Sequence, residues 1–238
     1  MGRSGLYSAR NPSRTGVDMT VDNRYTRYRD LIPCDKLKAL GVTIIGVGAI
    51  GRQVAMQLAV MGVGKLDLWD YDVVGEENLG TQGYRPDQLG KPKVDAIAED
   101  VSLVNPNTQC ILHNSKFGTA HSTEKVVAMC VDSIRTRKQF FLAKGLGVPL
   151  LVDGRMSAET VRVLSSRYGS GEYKNTFFSS GESFAGSCTA KSTFYSASAA
   201  ASLMISEITK WLRDLPLGED ILLDLVSYDM VVNAGAPA

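Results

Sequence analysis

Gly46-Val47-Gly48-Ala49-Ile50-Gly51 sets three glycines at G-x-G-x-x-G spacing, between an apolar run and an amphipathic one. Such a turn brings backbone amides against a phosphate. Gly46 permits the tight turn, Gly48 the close approach, and Gly51 the packing of a helix on a strand. Asp70 lies 19 residues beyond Gly51, at the end of the next apolar run. That is the usual place for a carboxylate that hydrogen-bonds a ribose. The motif alone does not separate a dinucleotide from ATP, and a tight strand–helix turn without a ligand is its plain alternative.

These residues need a scaffold, and the hydrophobic pattern supplies one. Residues 42–47 (VTIIGV) form an apolar, β-branched run expected to be a buried parallel strand. Ile50, Val54, Leu58 and Met61 then recur at helical spacing up to Gly62 and Gly64. Residues 65–70 alternate as a second strand, and 91–104 make an amphipathic helix stopped by Asn105-Pro106. Strands are expected over 108–113, 126–131 and 148–153, with a helix over 133–146. A short helix is expected within 30–40. Strand–helix alternation predicts an α/β fold with a doubly wound, Rossmann-like, mainly parallel sheet. Later the pattern changes. Residues 160–166 and 174–179 read as antiparallel strands around a Tyr-Gly-Ser-Gly turn, 192–212 as a long helix, and 221–232 as closing strand. The expected layout is a mobile arm over 1–22 and a single domain over 23–238. Within it, 23–153 is the nucleotide-binding half, and 154–238 holds a crossover loop, added antiparallel strands and the long helix.

Composition narrows the function. The chain has 238 residues, 44% hydrophobic and 21% charged, which is ordinary globular usage. With 26 Lys and Arg against 25 Asp and Glu, the net charge of +1 gives no general attraction to nucleic acid or an anionic membrane. Phosphate binding must therefore be local. The four cysteines include no C-x-x-C pair, so no zinc is expected, and nothing suggests a disulfide framework. No signal-peptide core or 18-residue apolar run is present, so a soluble, cytoplasmic protein is expected. The two histidines, His113 and His121, have no Ser or Cys partner at a suggestive spacing and receive no role. Trp69 and Trp211 read as packing residues.

The stretch from Asp70 to Gln82 (DYDVVGEENLGTQ) resembles the D-x-D-x-V-x-x-x-N-L-x-R-Q signature of the ThiF/MoeB family, which also contains the ubiquitin-activating enzymes. Gly90-Lys91-Pro92-Lys93 is similar to its G-x-x-K, and Asn105-Pro106 to the N-P that follows. Cys130-Val131-Asp132-Ser133 resembles its C-T-D-N, with Arg137 at the following Arg, and Arg24-Tyr25-Thr26-Arg27 resembles its R-Y-x-R. The motifs run in order from Arg24 to about Asp153.

The resemblance implies ATP, Mg2+ and adenylation of the C-terminal glycine of a small ubiquitin-like or sulfur-carrier protein. It implies that Lys93 holds the phosphates, Asp132 the magnesium, Asn78 and Gln82 the nucleotide, and Asp70 and Asp72 the ribose. Arg27 would reach the phosphate tail from the opposite subunit of a homodimer. Such a site makes physical sense, because a carboxylate attacking a phosphate needs fixed cations and donors. Each residue also has a plainer reading. Lys93 could lie on a solvated helix face, Asp132 could cap the next helix, Asp72 and Asn78 could be turn formers, and Arg27 an exposed charge.

The family's Arg in N-L-x-R-Q is Thr81 here, and Arg85 is the residue near enough to substitute. Cys188 precedes the long helix as a cysteine does in several relatives, where it can receive the activated acyl group. A helix N-terminus favours thiolate there, although a small buried residue would also fit. Cys34, Cys110 and Cys130 read as structural. Two alternatives stand beside adenylation. One is an NAD(P)-dependent Rossmann dehydrogenase, against which no Tyr-x-x-x-Lys pair occurs. The other is a non-catalytic scaffold that kept the nucleotide fold, a reading Thr81 favours.

Overall fold

The computed structural model describes residues 23–177 and 193–234. The expected arm over 1–22 and Cys188 lie outside the described residues. In chain order the elements are α1 (Cys34–Lys38), β1 (Gly41–Ile45), α2 (Ala49–Met61), β2 (Lys65–Asp70), α3 (Glu77–Gln82), α4 (Lys93–Val104), β3 (Gln109–Asn114), β4 (Val126–Met129), α5 (Ile134–Lys144), β5 (Leu150–Ser157), β6 (Thr160–Ser166), α6 (Phe194–Leu212), β7 (Gly218–Asp224) and β8 (Met230–Ala234). They build one sheet in the order β3-β2-β1-β4-β5-β6-β7-β8. β3 through β5 run parallel, and β5 through β8 pair antiparallel. The expected α/β class, doubly wound and mainly parallel with antiparallel strands in its C-terminal half, is the fold observed.

The two-residue period of a strand explains why the central strands are apolar throughout. Val42 and Ile44 of β1, Val126 and Ala128 of β4, and Leu150 and Val152 of β5 face α2, α4 and α6. Their neighbours Ile45, Val127, Met129 and Leu151 face α5 through Phe140 and Phe141. The small residues of α6 serve close packing: Ala197, Ala200 and Ala201 are fully buried, and a Cβ on Gly154 of β5 would come within 2.5 Å of the Met204 sulfur. The β3–β4 connection carries no helix. There Trp69 stacks on His113 at 3.7 Å, with His121 and Phe117 against the same indole. Trp69 is buried, so its expected packing role holds.

Local chemistry sets the ends. α2 stops at Gly62 in the left-handed region, with φ 91°. Ser133 and Thr193 cap α5 and α6 with their hydroxyls. α3 was not expected, because its six residues are too few to show a period. The strand expected over 174–179 is corrected. Glu172–Thr176 is a 3-10 turn, and residues 178–179 lie outside the described part. Tyr168, Gly169 and Gly171, all with positive φ, swing the chain out of the sheet. The antiparallel partners of β6 are β5 and β7 instead. The stretch 221–232 divides into β7 and β8, because Asp224 Oδ1 accepts the amides of Val226 and Ser227 and closes a turn. On β8 at the sheet edge, Met230, Val231 and Val232 are exposed.

Two glycines test how this frame is packed. A Cβ on Gly51 would sit 1.9 Å from the Gly46 carbonyl oxygen, whereas one on Gly80 in α3 meets nothing within 4 Å. Gly51→Ala is expected to cost about 1–3 kcal/mol. Gly80→Ala is expected to be neutral or to stabilise by about 0.5–1 kcal/mol. Urea unfolding midpoints of the two variants check this ordering.

Candidate nucleotide-binding site

The order of the sheet reverses at β1, which has β2 on one side and β4 on the other. Ligands of doubly wound sheets bind in the crevice outside the strand ends at such a switch point. The glycine loop leaves β1 here. Gly46 turns with φ 87°, and a Cβ there would lie 3.0 Å from the Cys130 carbonyl oxygen. Its amide donates to the Trp69 carbonyl at 2.8 Å. Gly48 is the N-cap of α2, with no side chain capping that end. The first-turn amides therefore face outward with the positive end of the helix dipole.

Asp70 ends β2 and is buried. Its Oδ2 accepts the Val47 amide at 2.8 Å, and its Oδ1 accepts the Asp72 amide at 2.9 Å. Both oxygens thus brace backbone, and each keeps a second lone pair for a further donor. Residues 72–75 then pair back onto 90–93: the Val74 amide donates to Lys91 O, and the Lys93 amide to Asp72 O, both at 2.9 Å. This doubling back plants Lys93 at the first position of α4. It is buried, with Nζ 3.1 Å from Asp72 Oδ2, so it is not on a solvated helix face. Asp72 itself is half-exposed.

Asn78 is buried in α3, and its Oδ1 accepts the Gly75 amide at 2.9 Å. Its carbonyl end therefore closes a turn. Gln82 ends α3, and its buried Oε1 has no hydrogen-bond partner among the described residues. That oxygen lies 3.7 Å from where a Gly48 Cβ would be. Asp132 is exposed beyond β4. It is not the helix cap, since Ser133 fills that position. The Tyr71 phenol is held above its ordinary range first by Asp72, then by burial, Asp132 and Asp70. Three carboxylates are therefore near enough to act on one phenol. Gly46, Gly48, Gly51, Asp70, Asp72, Lys93 and Gln82 meet at one end of the sheet.

Arg27 stands apart. Tyr25, two residues before it, packs against Gly62, and Asn105 donates to the Tyr25 hydroxyl at 3.2 Å. This places the element at the far end of α2 from the glycine loop, about 20 Å away for a 13-residue helix. Thr81 turns its hydroxyl to Glu77 O at 2.7 Å. Arg85 is committed to carboxylates, bonding Asp87 at 2.9 and 3.0 Å and contacting Asp100.

The sequence reading missed the support beneath the loop. The Tyr84 hydroxyl donates to Val47 O at 2.6 Å. Burial, then Asp70, pushes that phenol far up, so it stays a donor. The Arg52 guanidinium lies 5.1 Å over the Tyr84 ring and donates to Asp100 at 2.7 Å. Gln88 bonds the other Asp100 oxygen at 3.0 Å. A cation directly after the third loop glycine was the available signal. Burial pushes the Cys130 thiol up to about 12 and the Cys110 thiol up to about 11, so neither is a thiolate near neutrality. Native labelling with a thiol reagent at pH 8 is expected to leave Cys110 and Cys130 unmodified, with both reacting only after denaturation. Mass mapping of the modified peptides checks this.

Comparison with known proteins fits this geometry. The ThiF family model matches residues 24–234. Ubiquitin-like modifier-activating enzyme 5 of Drosophila ananassae is 35% identical over 115 residues, covering 48% of this chain and 27% of that protein. Adenylyltransferase and sulfurtransferase MOCS3 of Caenorhabditis briggsae is 35% identical over 107 residues, covering 42% of this chain and 27% of that protein. The matched part is thus roughly a quarter of the length of these relatives. Among solved structures, Escherichia coli MccB crystallised with ATP superposes with a TM-score of 0.74 at 17% identity, covering 91% of this chain and 73% of that one. The motifs at the switch point, the sheet order and the family match over nearly the whole described chain agree: this chain belongs to the ThiF family.

Proposed function

We propose that the chain, acting as a single adenylation domain, binds ATP and adenylates the C-terminal carboxylate of a small ubiquitin-like or sulfur-carrier protein. The observation that carries this reading is the crowding of the glycine loop, the Gln82 amide oxygen without a partner among the described residues, and buried Lys93 paired with half-exposed Asp72 at one switch point. The relatives named as a modifier-activating enzyme and as an adenylyltransferase support it.

In this reading the α2 amides and Lys93 take the phosphates, and Asp70 and Asp72 take the ribose hydroxyls. Gln82 and the amide end of Asn78 donate to the nucleotide. A carboxylate oxygen of the acceptor protein attacks the α-phosphorus. The new O–P bond forms as the bond to the bridging oxygen breaks, and pyrophosphate leaves with that electron pair. Positive charge fixed beforehand lowers the barrier between two anions.

A magnesium ion fits the residues present. Asp132 is exposed and shares its surroundings with Asp72. Among the described residues no group of three metal-ligating side chains exists. Mg2+ is commonly held by one or two carboxylates plus phosphates and water, so Asp132 would hold it, and when bound it would neutralise phosphate charge. No zinc is expected. Among the described residues no helix is long and apolar enough to cross a membrane. Cys34, Cys110 and Cys130, the cysteines among the described residues, are free, which suits work in a reducing cytoplasm, and the net charge of +1 gives no pull to nucleic acid.

Lys93→Ala and Asp132→Ala are each expected to lower ATP–pyrophosphate exchange, run with candidate proteins ending in Gly-Gly, by about a hundredfold or more. Melting temperatures near that of the unaltered chain show that the fold survives, and near-normal exchange in either variant removes the assigned role. Cys188→Ala is expected to keep exchange and lose any thiol-sensitive adduct with the acceptor, because adenylation does not use the thiol, whereas the thioester forms when the thiolate attacks the acyl-adenylate and AMP leaves. An adduct that survives the substitution removes Cys188 from the mechanism.

Arg27 is too far from the glycine loop of its own chain to act there, so its role requires a homodimer with shared sites. Mixing Arg27→Ala and Lys93→Ala subunits is then expected to restore about a quarter of the sites by random pairing. Failure to regain exchange on subunit mixing, or a monomer in solution, refutes this. A non-catalytic scaffold is the second reading, favoured by Thr81 and by the commitment of Arg85 to Asp87 and Asp100. ATP binding without exchange would support it.

A further inference from the structure

Behind the Asp132 loop lies a buried charged network that the proposed chemistry does not use. Asp153 of β5 is fully buried and faces two arginines. Its Oδ2 accepts Arg155 Nη2 at 2.9 Å, Arg155 Nε at 3.0 Å and the Tyr173 hydroxyl at 2.8 Å. Its Oδ1 contacts Arg137 Nη1. Arg155 is itself held by Thr176, through the carbonyl at 3.1 Å and the hydroxyl at 2.9 Å. Arg137, buried in the first turn of α5, directs Nη2 to two carbonyls: Gly154 O at 3.1 Å and Val131 O. Val131 is the residue before Asp132.

Two guanidiniums share one carboxylate here. Arg162 and Asp220, which both act on Arg155, pair with each other at 2.9 and 2.7 Å, and Asp132 acts on Arg137 from the loop. Burial first, then Arg155, pushes Arg137 down to about 10. An imbalance of this kind is costly in a protein interior. Here it gives a definite division of labour. Arg155 and Tyr173 occupy Oδ2, so Asp153 engages Arg137 only through Oδ1 and Nη1. Arg137 Nη2 is thereby left for Val131 O. Removing the donors on Oδ2 frees an anionic oxygen, a stronger acceptor than a carbonyl. It would draw Nη2 away from Val131 and release the loop that carries Asp132.

We infer that Asp153, Arg155 and Tyr173 are positioning residues that act through Arg137 to hold Asp132 in place for Mg2+. The inference rests on the ATP and Mg2+ reading above. Partners behind a metal ligand govern its orientation, and altering them typically costs tenfold or more in metal affinity.

The test is calorimetric titration of ATP into the full chain over a series of Mg2+ concentrations. Arg155→Met is expected to keep Mg2+-free ATP affinity and to raise the Mg2+ concentration for half-maximal tightening by about tenfold. Tyr173→Phe, which deletes one oxygen, is expected to raise it by less, and Arg155→Lys to recover part of the loss. If Arg155→Met fails to fold, Tyr173→Phe alone carries the test. Variants with an unaltered Mg2+ response overturn the inference and leave the proposed function standing. So does an equal loss of ATP affinity with and without Mg2+, since that is general damage. An unaltered chain that binds no ATP at all overturns both.

Discussion

One carboxylate ties the site together. Asp70 sits at the end of β2, and its two oxygens catch the amide of Val47 in the glycine loop and the amide of Asp72 in the next connection. Two chain segments far apart in sequence are thereby fixed to one side chain. The first sets the direction in which α2 begins. The second starts the return path that ends at Lys93. A buried carboxylate is tolerated when its lone pairs are filled by backbone donors. Here each oxygen takes one backbone amide. The Tyr84 hydroxyl secures the carbonyl of Val47 while Asp70 secures its amide, so the loop residue is held from both sides.

Buried charge recurs at each corner of this end of the sheet, and each time it is arranged around a single acid. Asp100 gathers Arg52, Arg85 and Gln88 under α3. Asp153 gathers Arg137, Arg155 and Tyr173 behind β5. Asp72 holds Lys93 at the mouth. Deep pairs of this type seldom add stability over an apolar core, but breaking one partner costs several kcal/mol. The sheet tolerates them because the two apolar layers around β1, β4 and β5 are continuous without them.

How much of this the sequence discloses depends on the range of the interaction. Helices and parallel strands follow from period and punctuation, so α2, α4 and α6 and the strands before β6 fall where the hydrophobic pattern puts them. Gly46, Gly48, Gly51 and Asp70 are legible because backbone geometry dictates residue type there. The strand expected over 174–179 gives way at its start to the turn at Glu172–Thr176, because Thr176, a β-former, is taken up by Arg155. Arg52, Tyr84 and Asp100 stayed hidden for a similar reason. Their meaning lies in contacts across 32 to 48 residues, from Arg52 with Tyr84 to Arg52 with Asp100, and no local spacing encodes such a pairing. Lys93 was visible as a motif residue, but its burial follows only from the pairing of 72–75 with 90–93.

Trp69 offers a last consequence. Its carbonyl takes the Gly46 amide, while its ring is stacked on His113 and touched by His121. The other tryptophan, Trp211, lies in α6 on the opposite face of the sheet. The chain therefore carries its own optical gauge: an emitter fastened to the backbone of the glycine loop, with a second emitter on the other face of the sheet as internal reference.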